Sequence, residues 1–102
     1  MKLGIFEVIQ LFKGASHLSN PTKDEQKLLS KIMGFLLSNG VEFELNQDEV
    51  YPAYDFICQR ISHCTRERDM KSRRFNPKTY ENLLLMRDAI RYNRPYTIVE
   101  NY

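Results

Sequence analysis

Between Asn20 and Gly40 the chain spells out one helix with both ends marked, and this segment limits the fold more than any other. "NPTKDEQ" offers two starts two residues apart. Either Asn20 caps with Pro21 in the first turn, or Thr22 and Glu25 form a capping box. Asn39-Gly40 supplies a left-handed stop at the far end. In between, apolar residues run from Phe35 and Leu28 through Ile32 and Leu36 to Met33 and Leu37, an arc of about 200° at helical spacing. Only Lys27, Lys31, Gly34 and Ser38 form a polar stripe. An arc that wide predicts a helix touched on several sides, by its own fold or by another chain.

Three more helices follow from the same kind of argument. Ile5, Val8, Ile9 and Phe12 share one side of a helix over about 2–13, which Gly14 ends and a loop follows. "NQDEVYP" reads as a turn or a capped lead into a third helix over about 52–66, with Pro52 in its first turn. That helix is expected to bury Ala53, Ile57, Ile61 and Cys64, with Phe56 and Tyr54 at the edges. Asn76-Pro77 opens a fourth over about 77–92, closed by Asn93 and Pro95. Val41, Phe43 and Leu45 alternate with Glu42 and Glu44, the mark of a half-buried strand at 41–45. "YTIVE" is a second strand candidate at 96–100. The fold expected is mainly α, a small α+β domain with about four helices around one core and two short strands. "NPTKDEQKLLSK" and "NPKTYENLLLMR" match at an offset of 56, and the same register lays 41–45 over 96–100. Asn-Pro is a good helix start and Leu-Leu a common helical pair, so the match needs no duplication. Pairing of the two strands is expected.

At 102 residues the chain fits a single domain, 1–102. Its apolar and charged fractions, 42% and 27%, are those of a folded globular protein and exclude wholesale disorder. No apolar run approaches the roughly 18–20 residues that span a bilayer, so no membrane partner is expected. Glu7, Gln10 and Lys13 break the apolar N-terminus, and no small-residue cleavage site follows it. The expectation is a complete small gene product with a mature N-terminus in the cytoplasm. Cys58 and Cys64, six apart on one helix, point about 120° apart and suit two reduced thiols better than a disulfide or a shared metal.

Charge is unevenly spread. Residues 1–57 carry five lysines and eight acids, a net of −3; residues 58–102 carry ten bases and five acids, a net of +5. All eight arginines fall in the second part, while Glu42, Glu44, Asp48, Glu49 and Asp55 succeed one another without a base. Either the fold joins these regions or it displays two oppositely charged faces.

Catalytic patterns are lacking. The four glycines stand alone, so none cradles a phosphate. His17 reads as an exposed loop residue, and His63-Cys64 are adjacent on a helix, where neighbours point apart rather than share a proton. No enzyme activity, cofactor or metal site is expected. Two basic clusters suit binding instead. In "TRERDMKSRRFNP" the first five residues balance their own charge, leaving Lys71, Arg73, Arg74 and Lys78 beside a helix start that attracts anions. Tyr80, Arg87 and Arg91 share a helical face, and Tyr92, Arg94 and Tyr96 follow, residue types enriched in interface anchors and in nucleotide stacking.

The chain is therefore expected to be a small binding protein, an inhibitor, adaptor or regulator that occupies a macromolecular partner's surface. Accessory proteins of viruses and mobile elements are often of this kind. The partner expected is another protein, with self-association into a dimer. The alternative is a nucleic-acid- or nucleotide-binding regulator using the arginine and tyrosine clusters of the C-terminal half.

Overall fold

The computed structural model describes residues 1–92 as β1 (Lys2–Leu3), α1 (Ile5–Ala15), α2 (Lys23–Leu37), β2 (Phe43–Glu44), a short 3-10 turn (Gln47–Glu49), α3 (Val50–Asp69) and α4 (Pro77–Tyr92). The architecture is mainly helical, with one short antiparallel sheet. The strand expected at 96–100, with Arg94 and Tyr96, lies outside the described residues. Among the described residues, no helix is long and apolar enough to cross a membrane.

Capping chemistry decides the helix limits. Thr22, not Asn20, begins α2: its hydroxyl accepts from the Glu25 N–H at 3.2 Å, and Glu25 Oε1 accepts from the Thr22 N–H at 2.7 Å. In α4 it is the Asn of Asn-Pro that caps, Asn76 Oδ1 accepting from the N–H groups of Lys78 and Thr79. Pro77 is thus the first residue of its helix, whereas Pro21 lies outside α2. The two Asn-Pro segments do different jobs, which argues against a duplicated unit. At the other end of α2 the left-handed residue is Asn39, with φ 55°. Gly40 N–H reaches back to the Phe35 carbonyl and Asn39 N–H to that of Leu36, a Schellman pair. Gly40 is needed for space, since a Cβ there would run into the Phe35 ring.

The expected pairing of 41–45 with 96–100 lies outside the described residues; among those, β2 has a different neighbour. β2 pairs with β1, Lys2 opposite Glu44 and Leu3 opposite Phe43. The first helix accordingly starts at Ile5 rather than at 2, because the residues before it are extended and bonded to β2. The Met1 ammonium donates to the Leu45 carbonyl at 3.0 Å and lies 3.6 Å from Glu44. Phe43 and Leu45 are buried as the alternation requires, but Val41 is 88% exposed and precedes the strand.

The core lies along α3, which packs against α1, α2 and α4. Its buried residues are Pro52, Ala53, Phe56, Ile57 and Cys64; Phe56, expected at an edge, is fully enclosed, and Ile61 is only partly buried. From α1 it meets Val8 and Leu11, from α2 Leu28 and Ile32, and from α4 Leu83, Met86 and Ile90. The inward face of α1 is therefore Val8, Leu11 and Ala15, while Ile5 and Phe12 are exposed. Of the expected side, Val8 is buried and Ile9 half-buried, while its other two residues face solvent. Gly14 explains the register. It does not end α1 but sits inside it against α3, where a Cβ would collide with the Phe56 carbonyl. One turn earlier the buried Gln10 accepts a hydrogen bond from Arg60 Nε at 2.9 Å.

Gly14→Ala must push two helices apart and is expected to cost about 3 kcal/mol. Urea unfolding of the variant measures this, and an unchanged midpoint would contradict the close approach.

Candidate functional site

The loop after α1 carries a histidine onto α3. Ser16 ends α1, its hydroxyl donating to the Lys13 carbonyl at 2.6 Å, and His17 N–H bonds to the Gly14 carbonyl. This tight turn stacks His17 on His63, ring centroids 4.4 Å apart and 20° from parallel. Arg60, His63 and Glu67 recur on α3 at intervals of three and four, so they share one face. Glu67 Oε1 lies 3.5 Å from His63 Nε2 and 3.8 Å from an Arg60 guanidinium nitrogen. Arg74 arrives from the connection between α3 and α4, and Lys13 from α1. Together with Ser16 these side chains line a polar cleft of about 320 Å³.

Electrostatics follow from the crowding of cations. Partial burial, then the neighbouring His63, Arg60 and Arg66, hold the His17 pKa below its ordinary 6.5. Burial pushes the Cys64 thiol up, which makes it a packing residue rather than a ready thiolate. Both cysteines are free. On the far side of α3, Asp55 is pushed up by burial and by the adjacent Glu25 carboxylate.

The basic residues singled out in the sequence do not form one surface. Arg74 joins the cleft, but Lys71, Arg73 and Lys78 do not line it. Lys71 occupies the left-handed position after α3, φ 55°, with Lys71 N–H bonded to the Arg68 carbonyl and Ser72 N–H to that of Glu67. That seat costs an L-residue roughly 1 kcal/mol, and its ammonium stays exposed. The start of α4 is a poorer anion site than expected, because Asn76 takes the N–H groups of Lys78 and Thr79.

The Arg/Tyr surface divides as well. Tyr80 is half-buried beneath the Arg68 guanidinium, 5.2 Å from its ring, and beside Phe75. Arg87 pairs with Asp88 at 3.3 Å. Arg91 lies 5.3 Å from the Tyr92 ring and lines a groove with Val50, Tyr51 and Tyr54. Three of the five acids at 42–55 find partners in the N-terminal half instead: Glu42 with Lys2 at 3.4 Å, Glu44 with the Met1 ammonium, Glu49 with Lys31 at 2.7 Å. Among the described residues no ion pair joins those acids to the arginines, so the charge asymmetry survives folding.

Sequence reasoning missed Lys13, Ser16, His17, Arg60, His63 and Glu67. The spacing 60, 63, 67 was legible as a polar face. Nothing in the sequence announced that the turn after Gly14 would bring His17 to it. No family model matches this chain, and neither does any curated protein or solved structure.

Because the His17 pKa lies below 6.5 in the fold, the folded chain binds fewer protons there than the unfolded one. Stability should therefore rise as pH climbs toward 6.5 and fall below it. His17→Gln should flatten that segment of a plot of urea midpoint against pH; an unaltered slope would assign the effect elsewhere.

Proposed function

We propose that the protein is a small binding protein that works by occupying another protein's surface, and that it self-associates through the outer face of α2. The observation that carries this reading is the apolar ridge left on that face. Of the wide arc, Leu28 and Ile32 are buried, and Leu29, Phe35 and Leu36 pack partly against the core. Met33 and Leu37 remain, 46% and 82% exposed, with Val41 just beyond them. Lys31, which the polar stripe had claimed, is instead a tether, donating to the Glu44 carbonyl and to Glu49 while lying over Phe43.

Gly34 points the same way. An interior helical glycine costs about 1 kcal/mol relative to alanine. Nothing lies within 4 Å of where its Cβ would stand, so the isolated fold has no use for it. An approaching helix does, because glycine lets two backbones come close. A second copy running antiparallel is the occupant that fits. It would set Lys23 and Lys27 at one end of each α2 against the carbonyl end of the other, which carries no basic residue in its last turn. A symmetric contact of this kind is the commonest way for identical chains to meet.

Size exclusion with light scattering should give a mass above the 12.1 kDa of one chain. Leu37→Asp should return it to one chain. Gly34→Ala should weaken association while stabilising the separated chain by about 0.5–1 kcal/mol. A wild-type protein that stays monomeric at high concentration removes the self-association.

The free bases favour one second reading, a nucleic-acid or nucleotide partner. Lys71, Arg73 and Lys78 are exposed, and no ion pair engages them among the described residues. Retention on heparin or a short duplex should then fall steeply with salt and be lost in the double variant Arg73→Ala, Arg74→Ala. Elution already at low salt would exclude this partner.

A further inference from the structure

The cleft between α1 and α3 has a charge imbalance that the fold leaves uncorrected. Its lining holds Lys13, Arg60 and Arg74 against a single carboxylate, Glu67; histidines aside, three cations less one anion leave two positive charges. Glu67 already serves Arg60 and His63. Neither Lys13 nor Arg74 has a carboxylate within 4 Å among the described residues, and Arg66 adds its field at His17. Cations usually disperse over a surface to reduce their repulsion. Here three separate parts of the chain, α1, α3 and the connection to α4, bring them to one concavity.

We propose that this cleft binds a phosphate dianion, free or as the end group of a phosphate monoester. Two unmatched charges equal the charge of that group. Donors converge from several sides: the Lys13 ammonium, the Arg74 and Arg60 guanidiniums and the imidazole N–H groups. A tetrahedral oxyanion accepts from such directions at once, whereas a planar carboxylate would duplicate what Glu67 already does. A cleft of about 320 Å³ holds the phosphoryl group and a small attached residue. A cation is the wrong occupant. The described residues contain no group of three metal-ligating side chains, and the paired imidazoles lie among positive groups.

Occupancy should couple to protons. The charged groups facing the histidines are Lys13 on α1, Arg60, Arg66 and Glu67 on α3, and Arg74 after it; the buried Cys64 thiol is neutral. Their sum disfavours a charged His17 imidazole. A bound dianion reverses that balance, so His17 should take up a proton with it and its pKa should rise on binding, above the pH of about 6 at which a monoester dianion is itself protonated.

The test is to titrate inorganic phosphate, and separately phenyl phosphate, into the full chain while following the ring resonances of His17 and His63. Sodium chloride at matched ionic strength is the control. Saturable shifts confined to these rings, with a rise in the His17 pKa, are expected. Lys13→Ala or Arg74→Ala, both exposed changes that leave the core alone, should weaken binding about tenfold or more. Glu67→Gln should tighten it. Saturation by phenyl phosphate only would place the site on a monoester, and by both on the phosphate group itself. Shifts equal to those in chloride, or indifferent to the Lys13 and Arg74 substitutions, would overturn the proposal.

Discussion

The close approach of α1 to α3 at Gly14 is the constraint from which the remaining arrangement follows. Because no side chain stands between Gly14 and the Phe56 carbonyl, the two backbones sit nearer than an alanine would permit. That distance lets the short Gln10 side chain reach Arg60, whose guanidinium is thereby held half-buried rather than released to solvent. It also fixes the rotation of α1, turning Val8, Leu11 and Ala15 inward and leaving Ile5 and Phe12 outside. The end of the helix then stands over α3, and one tight turn is enough to lay His17 on His63. The cleft is thus a consequence of one missing Cβ as much as of its own side chains.

A second organising effect is the order in which charges are satisfied. The N-terminal strand and α2 neutralise Glu42, Glu44 and Glu49 through the Met1 ammonium, Lys2 and Lys31. These pairs are mostly exposed and each contributes little, roughly 0–1 kcal/mol. Lys31 differs because one ammonium meets a carbonyl, a carboxylate and the Phe43 ring together, and so fastens α2 to the sheet and the following turn. With those acids engaged there, the carboxylates that pair with arginines among the described residues are local ones, Glu67, Asp69 and Asp88. Their field is left to act outward.

Much of this fold was legible because helix ends are local chemistry. Thr22 with Glu25, Asn39 before Gly40, and Asn76 before Pro77 each act within a few residues, and the limits of α2 and the start of α4 follow from them. What failed was the long-range part. Residues 2–3 carry no period of their own, and only the presence of β2 at 43–44 makes them a strand. Ile5, Val8, Ile9 and Phe12 form as good a helical face as Val8, Leu11 and Ala15, and hydrophobicity alone could not choose between them. Gly14 could, but its value as a contact is invisible until its neighbour is known. Likewise Arg60, His63 and Glu67 could be placed on one face from their spacing, yet His17 and Arg74 reach them through turns whose geometry no periodicity encodes.

The places where this chain departs from what its own stability favours are informative for that reason. Gly34 sits in an exposed helix interior where alanine would serve better. Lys71 takes a left-handed seat that suits glycine. Lys13, Arg60 and Arg74 converge where dispersal would lower the energy. Gly14 and Gly40 are also unusual, but each answers to a contact within the fold. Local rules broken with no internal compensation are expected at sites that meet something else. Of the three, Lys71 is explained by the Schellman turn that ends α3, since some residue must occupy it. Gly34 and the cationic cleft have no such internal reason. They lie on different elements and share no residue, so the fold carries two unspent features of opposite character, one an apolar ridge, the other charged and concave.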